Sequence, residues 1–240
     1  MKGVILAAGE GTRLRPKTEE IPKPLVEVAG KPILTRALET LLDLGIDKVV
    51  IVIGYKGDQI EEEYGGSYRG LDISYARQAK RDGLAHAVLA AHERIESDFV
   101  VLNGDNVYSG NLESAIHRHA STGAEITFPV ETVSSETAGR GAVCALDDNG
   151  TVIGLVEKPE TPPSGCVPTA FYVLPPEVLH ACRIVTPSSR GEYELPDAID
   201  LLIHAGYEVE TVPFEGWRVN INTEQDVERA ERKLSGRGDR

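Results

Sequence analysis

The chain has 240 residues, of which 41% are hydrophobic and 26% are charged, and its formal net charge is −13. This composition is typical of a soluble globular protein, and the length allows one large domain or two closely packed ones. The negative charge excludes non-specific binding of nucleic acid, because phosphate backbones require a basic surface. The apolar runs are too short for a signal peptide or a membrane span, which predicts a cytoplasmic protein without membrane partners.

Strands and helices alternate along the first half of the chain. Strands are predicted at 4–8, 48–53, 72–78, 99–102 and 126–130, and helices are predicted at 32–45, 59–64, 83–95 and 111–119. Alternation at this spacing is typical of βαβ units and predicts an α/β fold with a doubly wound sheet and right-handed crossovers.

The pattern changes after residue 140. Two or three strands are predicted within 141–175, separated by turn signals at 147–150 and 161–165. Helices at 176–181 and 194–204, a strand at 208–213 and a last helix starting near Thr223 follow, and the tail from Ser235 is expected to fray. Hairpin-like strands beside an α/β sheet predict a second, smaller β-rich lobe.

The first predicted strand ends in small residues, LAAGEG at 6–11, and basic residues follow directly. Successive backbone N–H groups in such a turn form a cradle for phosphate oxygens. Arg13, Arg15 and Lys23 add guanidinium and ammonium groups to the same stretch. A lone Gly-x-Gly is more often a surface turn. A dinucleotide fingerprint would need a glycine where Leu14 stands, and a Walker loop would need a Gly-Lys-Ser/Thr that does not follow.

Ligands of open α/β sheets bind beyond the carboxyl ends of the strands. Four predicted strand ends carry polar or glycine-rich turns, at 9–13, 54–55, 78–83 and 103–105, which predicts a nucleotide site. The Gln78 amide can pair with the edge of a pyrimidine, although a solvated glutamine is an equal alternative. The Asp105 carboxylate is a suitable oxygen ligand for Mg²⁺, and an Asx-turn after a strand is the alternative.

Two segments, LAAGEGTRLRPKT at 6–18 and KPLVEVAGKPIL at 23–34, resemble the opening signature of the sugar-1-phosphate nucleotidylyltransferases. The likeness extends over nearly the whole chain and is greatest to short glucose-1-phosphate uridylyl- and thymidylyltransferases. It implies a Rossmann-like doubly wound mixed sheet with a smaller β-rich sugar-binding lobe. It also implies a single domain, 1–240, with a nucleotide-binding part at 1–130 and a sugar-binding part at 131–240.

The resemblance implies a reaction of a pyrimidine NTP with a sugar 1-phosphate, giving an NDP-sugar and pyrophosphate, with Mg²⁺ as cofactor. Both substrates are small molecules, and the oligomeric state is left open between a monomer and a homo-oligomer. The resemblance gives the catalytic roles to Arg13, Lys23 and Asp105. It assigns nucleotide contacts to Leu6, Ala8, Gly9, Gly11, Thr12, Gln78 and Gly83.

The resemblance also assigns the sugar-phosphate contacts. Glu157 is expected to hold sugar hydroxyls and Lys158 the sugar phosphate, whereas a bare Glu-Lys pair is more often a solvated surface couple. Thr169 and Gly141 match positions that contact the hexose, with the register at Gly141 set to within one residue. Arg190 matches a segment that could reach the sugar phosphate, and its alternative is an ion pair with Glu192 or Glu194.

One position departs from the pattern. The family usually carries a metal-binding Asp shortly after the tryptophan, where this chain has Asn220. An amide oxygen can ligate Mg²⁺ but brings no charge, so the metal set Asp105 and Asn220 is expected to bind more weakly. Three questions stay open: UTP against dTTP, a catalytically weak nucleotide-sugar sensor, and a purine-using enzyme such as a mannose-1-phosphate guanylyltransferase.

Overall fold

The computed structural model describes residues 1–236, so the predicted fraying of the tail beyond Gly236 lies outside the described residues. The chain forms two compact units. We call the first the glycine-turn unit; it contains residues 2–81, 102–110 and those from 216 onward. We call the second the hairpin unit; it contains residues 82–101 and 111–215.

The strands are β1 Lys2–Ala7, β2 Glu27–Val28, β3 Lys31–Pro32, β4 Lys48–Ile53, β5 Ser67–Tyr68, β6 Leu71–Arg77, β7 Phe99–Asn103, β8 Asn106–Gly110, β9 Ile126–Thr132, β10 Ala142–Leu146, β11 Val152–Glu157, β12 Cys166–Pro168, β13 Phe171–Leu174, β14 Val209–Pro213 and β15 Gly216–Asn220. The α-helices are α1 Lys17–Glu20, α2 Ile33–Asp43, α3 Gly57–Tyr64, α4 Leu84–Ala90, α5 Glu113–Thr122, α6 Ser135–Ala138, α7 Val178–Ile184, α8 Leu195–His204 and α9 Glu224–Leu234. Short 3₁₀ turns lie at Thr12–Leu14, Lys23–Leu25 and His92–Arg94.

In the glycine-turn unit, β1, β4 and β6 are parallel neighbours, and β5 adds an antiparallel edge to β6. Ala7 lies opposite Ile53, which in turn lies opposite Arg77, so the three strands end in register. The last five residues of β4 are all buried, as expected for a strand covered on both faces. The predicted helix at 32–45 is confirmed as α2, and Gly45 follows it with a φ of +72°.

A pair of strands that the sequence did not predict completes this unit. β15 is antiparallel to β8, with Asn220 opposite Asn106, and a hydrophobic cluster that includes Val107, Val219 and Val227 packs with them. This pairing returns the chain after residue 216 to the unit of residues 102–110. The predicted boundary at residue 130 therefore does not follow the compact units, and the nucleotide and sugar roles of the two parts stay predictions.

In the hairpin unit, β9 is antiparallel to β12 and β13 and parallel to β14, so this part of the sheet is mixed. β10 and β11 form the predicted hairpin, in which the Asp147 carboxylate accepts the N–H groups of Asn149 and Thr151 at 2.9 and 2.8 Å. The stretch 141–175 holds four strands, not two or three, because the three-residue β12 and four-residue β13 are separate partners of β9. Within residues 1–236, the helices all lack the length and apolar character that a membrane crossing needs.

Candidate active site

The glycine turn after β1 is shaped by the segment that carries Lys23. Gly11 has a φ of +68°, and a Cβ there would lie 2.8 Å from the Lys23 Cβ, so both the backbone and the packing require glycine. The Thr18 hydroxyl donates to the Gly11 carbonyl at 2.8 Å and fixes the turn. A Cβ at Gly9, in contrast, would meet no atom of the described residues within 4 Å. The space at Gly9 suits the close approach of a ligand to the backbone.

Neighbouring strand ends approach β1 closely. The N–H of Gly104 donates to the Leu6 carbonyl at 2.9 Å, and a Cβ at Gly54 would lie 2.8 Å from the Ala8 carbonyl oxygen. The N–H of Gln78 donates to the Ile53 carbonyl at 2.9 Å, and the Gln78 side chain is buried. The predicted nucleotide residues 6–12 and Gln78 therefore lie at one edge of the parallel strands.

A pocket of about 590 Å³ adjoins Gln78 in the glycine-turn unit. Tyr55 and Arg81 contribute to its lining, and the Arg81 guanidinium lies 6.0 Å from the centroid of the Tyr55 ring. Glu10 forms ion pairs with Arg15 at 2.7 Å and with Arg81 at 3.0 Å. The glycine turn is thus tied to the pocket wall by charged pairs, and Arg15 lies outside the group of cations described next.

Lys23 is the central cation of the site, with only 7% of its surface exposed. Its Nζ donates to Asp105 Oδ2 at 2.7 Å and to Asn222 Oδ1 at 3.0 Å. The Arg13 Nη2 donates to the same Asn222 oxygen at 2.9 Å. The structure therefore brings together the three residues predicted to be catalytic, Arg13, Lys23 and Asp105. It adds Asn222, which the sequence interpretation did not assign to the site.

Asp105 is held by the β8–β15 pair. Asn106 Nδ2 donates to Asp105 Oδ1 at 3.1 Å, and the N–H of Ile221 donates to the Asp105 carbonyl at 2.8 Å. Asn220 Oδ1 accepts the amide Nδ2 of Asn222 at 2.8 Å. A pattern search could have found Asn222, because residues two apart in extended chain point to the same side, as Asn220 and Asn222 do.

The donor set fits a Mg²⁺ ion that shares its coordination with a substrate. Among residues 1–236, no group of three or more His, Cys, Asp or Glu side chains is placed to enclose a metal. Mg²⁺ is commonly bound through one or two carboxylates, together with waters and substrate phosphates. The Asp105 carboxylate is a donor of that kind, and the Asn220 amide oxygen is a further donor without charge.

Gly83, predicted to contact the nucleotide, has a structural role in the hairpin unit. Its φ is +117°, and a Cβ there would lie 2.4 Å from the Tyr193 carbonyl oxygen. The N–H of Tyr193 donates to the Asp82 carbonyl at 2.6 Å, and the N–H of Ala85 donates to the Tyr193 carbonyl at 2.9 Å. This backbone packing alone requires glycine at position 83, and its nucleotide contact stays a prediction.

Most of the predicted sugar-phosphate residues lie on or beside the strands of the hairpin unit. The N–H of Lys158 donates to the Gly141 carbonyl at 2.9 Å, which closes the open end of the β10–β11 hairpin. Lys158 has a φ of +45°, an unfavourable conformation for a side-chain-bearing residue, and such strain is concentrated at functional sites. The Thr169 side chain is buried, and its N–H donates to the Pro129 carbonyl at 3.0 Å.

Arg190 binds carboxylates in this structure. Its Nη2 lies 2.6 Å from Glu194 Oε1, 3.2 Å from Glu157 Oε1 and 3.5 Å from Glu192 Oε2. The alternative interpretation, an ion pair with Glu192 or Glu194, is therefore observed, and a contact with the sugar phosphate stays a prediction. Burial, followed by the nearby Glu194, raises the pKa of Glu157 despite the attraction of Lys158 and Arg190.

Comparisons with known proteins identify relatives of this chain. The family described as nucleotidyl transferase matches residues 2–229. The UTP–glucose-1-phosphate uridylyltransferase AglF of Haloferax volcanii is 46% identical over 234 residues, which are 98% of this chain and 96% of that protein. A glucose-1-phosphate thymidylyltransferase of Streptomyces antibioticus is 38% identical over 90% of this chain, and the match spans 61% of that protein.

Two solved structures are similar over nearly their whole length. A UDP-glucose pyrophosphorylase in complex with UDP-glucose superposes with a TM-score of 0.90 at 23% identity, covering 99% of both chains. A putative glucose-1-phosphate thymidylyltransferase from Bacillus anthracis, in complex with a sucrose, gives a TM-score of 0.86 at 26% identity over 100% of this chain and 96% of that one. These similarities confirm the predicted mixed α/β fold.

Proposed function

We propose that this chain, which belongs to the nucleotidyl transferase family, transfers the uridylyl group of UTP to glucose 1-phosphate. The named relatives are sugar-1-phosphate uridylyl- and thymidylyltransferases, so the class of reaction is sugar-1-phosphate nucleotidyl transfer. UTP is placed ahead of dTTP because the 46% identical uridylyltransferase matches over almost its entire length.

The observation that carries the proposal is the group formed by Arg13, Lys23 and Asp105. Two cations and one carboxylate leave this group with a net positive charge, in a protein whose overall charge is −13. A local excess of positive charge on a strongly acidic chain suits an anionic ligand. Guanidinium and ammonium groups are the usual protein partners of phosphate oxygens.

The chemistry needs no nucleophile or base from the protein. An oxygen of the sugar phosphate, already an anion, attacks the α-phosphorus of the nucleotide, and the bond to the β-phosphate breaks to release pyrophosphate. The protein lowers the repulsion between two anions and holds them in line. Lys23 would donate to oxygens of the α-phosphate and the sugar phosphate. Arg13 would donate to the pyrophosphate that carries the developing charge.

We propose that Asp105 and Asn220 hold Mg²⁺ with the phosphates of the nucleotide. The bound ion would add positive charge at the α-phosphate during transfer. Asp105 keeps its orientation through the Asn106 amide and the main-chain bond to Ile221, both of which exist before any ligand binds. Lys23 and the metal would then share one carboxylate, so the charge of the ammonium becomes available to the phosphates.

The remaining roles follow the chemistry of each side chain. The Gln78 amide offers a donor and an acceptor to the edge of uracil. The Glu157 carboxylate would accept hydroxyl groups of the hexose, and the Lys158 ammonium would pair with the phosphate of the sugar.

A substrate panel tests the proposal. Pyrophosphate release is measured with UTP, dTTP, GTP and ATP, each against the 1-phosphates of glucose, galactose, mannose and N-acetylglucosamine, with and without Mg²⁺. We expect the highest kcat/KM for UTP with glucose 1-phosphate and little release without the metal. A preference for GTP with mannose 1-phosphate would support the purine-using alternative. Nucleotide-sugar binding without pyrophosphate release from any pair would support the sensor alternative.

A further inference from the structure

We propose that Asn222 is a positioning residue that holds Arg13 and Lys23 together as one cationic pair, and that a neutral side chain is required there. The inference rests on the proposed function, because the pair is taken to bind the triphosphate. It concerns a residue in the segment between β15 and α9 that contacts the two cations and the Asn220 amide.

One oxygen atom carries both contacts. Asn222 Oδ1 accepts Arg13 Nη2 at 2.9 Å and Lys23 Nζ at 3.0 Å. A carbonyl oxygen has two lone pairs, so these two donors use its full capacity. The two cationic nitrogens bound to it are less than about 6 Å apart, a distance at which like charges repel. A shared acceptor is what keeps them together when no phosphate is bound.

The orientation of the amide is fixed by a third bond. Asn222 Nδ2 donates to Asn220 Oδ1 at 2.8 Å. The opposite orientation would turn the NH₂ group toward two cations and lose all three bonds, so only one assignment of the amide satisfies its partners. The main chain is fixed too, because the N–H of Asn222 donates to Asp226 Oδ2 at 3.0 Å at the start of α9. There Thr223 and Asp226 form a capping box.

The neutrality of the amide decides how much charge the pair offers. Lys23 already has an anionic partner in Asp105. A carboxylate at position 222 would supply a second anion to two cations, and the group would have no net charge left for a phosphate. The amide accepts the same hydrogen bonds and leaves the positive excess in place. Asn222 thus accepts the hydrogen bonds that a carboxylate would accept, but it adds no negative charge.

The test compares Asn222→Asp with Asn222→Ala in the full chain. UTP dissociation constants are measured by calorimetry without divalent cation or sugar, and melting temperatures are measured in parallel. We expect Asn222→Asp to melt at or above the wild-type temperature, because it gains ion pairs, and to bind UTP at least about tenfold more weakly. Asn222→Ala retains the main-chain bond to Asp226, and we expect it to bind UTP about 10- to 100-fold more weakly, as for loss of a supporting partner.

A merely structural role would give a different result. Asn222→Ala would then lower UTP affinity and melting temperature together. Asn222→Asp, under conditions in which it folds, would bind UTP as tightly as the wild type. Either result overturns the proposal. Asn149→Ala, in the exposed turn of the β10–β11 hairpin, is the matched control, and we expect it to leave UTP affinity unchanged.

A double-mutant cycle identifies the cations as the route of the effect. We expect Asn222→Ala to weaken UTP binding less in an Arg13→Ala background than in the wild type, because one of the two cations that Asn222 binds is already removed. Full additivity would contradict the proposal. UTP binding needs no sugar, so the result is separate from the proposed reaction. An absence of pyrophosphate release with every sugar phosphate would refute the reaction and leave the effect of Asn222 on UTP binding measurable.

Discussion

The glycine-turn unit and the hairpin unit each contain a charged cluster, and the two are built in opposite ways. In the first, Arg13 and Lys23 share a neutral amide oxygen, and a single carboxylate, Asp105, pairs with Lys23. In the second, one guanidinium, Arg190, lies within 4 Å of three carboxylates. The first cluster therefore has positive charge to offer, whereas the charge of Arg190 is already balanced several times over.

The contrast explains why the same residue types suit different ligands. A cluster with excess positive charge can bind and stabilise phosphate oxygens. A cluster in which carboxylates exceed cations is better suited to the neutral hydroxyl groups of a sugar, for which Glu157 is an acceptor. Assigning a role to an arginine from its sequence motif alone misses this difference, because its partners decide whether its charge is available.

The largest effect is expected for Lys23→Met, which removes the ammonium from the positive cluster. We expect kcat to fall on the order of 10²- to 10³-fold, the cost of losing one donor that stabilises developing charge. Asp105 retains 28% side-chain exposure and the Asn106 contact, so the variant should still fold. Pyrophosphate release at saturating substrates measures the change.

Lys17→Met is the matched control, since Lys17 is paired with Glu224 at 2.7 Å on the surface of the same unit. Exposed ion pairs contribute about 0–1 kcal/mol, so this variant should retain near-normal activity. Equal losses in the two lysine variants would mean that general surface charge, and not the position of Lys23, supports turnover. Near-normal turnover of Lys23→Met would remove Lys23 from the mechanism.

Asp105→Asn is expected to have the next largest effect, because it removes the single carboxylate of the proposed metal site. Loss of a residue that supports a metal ligand lowers metal affinity about 10- to 100-fold. Loss of a direct ligand should lower it by at least the upper end of that range. Titration of activity with Mg²⁺ gives the apparent affinity. Raising Mg²⁺ should restore part of the activity of this variant. A variant with unaltered Mg²⁺ dependence would place the metal elsewhere.

Much of the fold could be predicted from the sequence because local patterns determine it. β4 was predicted at 48–53 and runs over those residues, since an uninterrupted β-branched apolar segment has few alternatives. β15 was missed because a segment containing Trp217 and Arg218 has no regular alternation, and its strand conformation depends on pairing with β8, more than a hundred residues earlier in the chain. Long-range pairing of this kind leaves no local signal.

The candidate site was predictable residue by residue and not as a network. Arg13, Lys23 and Asp105 stand in recognisable motifs, and the structure brings them together. Asn222 carries no charge and was not assigned to the site from the sequence, and its contacts with Arg13 and Lys23 emerge in the folded chain. The partners of Arg190 were anticipated as an alternative, because Glu194 lies four residues away, but Glu157 is 33 residues away.

Arg190→Met is expected to act on the carboxylate-rich cluster with a smaller effect. Glu194 is 3% exposed and would lose its guanidinium partner, which should cost about 1–3 kcal/mol of stability. Glu157 would lose part of its orientation, so the KM for glucose 1-phosphate should rise on the order of tenfold, or about 1.4 kcal/mol. Thermal unfolding and KM are measured on the same preparations.

Arg140→Met separates this effect from loss of an ordinary surface pair. Arg140 pairs with Glu136 at 2.7 Å in the same unit, and both side chains are largely exposed. We expect its stability to change by about 0.3–0.5 kcal/mol. If Arg190→Met raises the KM strongly and leaves stability intact, Arg190 contacts the sugar phosphate itself, as the family resemblance implies.

The smallest effect is expected for the stability of Glu157→Gln. Burial and then Glu194 raise the pKa of Glu157, so its carboxyl keeps a proton to a higher pH in the folded protein than in the unfolded chain. The stability that this group contributes is present below its unfolded pKa and is lost as the pH rises through the higher, folded pKa. Glutamine resembles the protonated form. The variant should therefore melt above the wild type at neutral pH, and the difference should vanish below about pH 4.

Asp147→Asn is the control of opposite sign. Backbone hydrogen bonds from Thr151 and Asn149 lower the pKa of Asp147, so its stabilisation is present above the unfolded pKa and is lost as the pH falls. We expect this variant to melt below the wild type at neutral pH and to converge with it in acid. Melting curves of the wild type, Glu157→Gln and Asp147→Asn across the acidic range measure both differences.

A Glu157→Gln variant that melts below the wild type at neutral pH would mean that the attraction of Arg190 and Lys158 exceeds the effects of burial and Glu194. The carboxylate-rich cluster would then be held by its cations, and the contrast with the glycine-turn unit would be one of geometry alone.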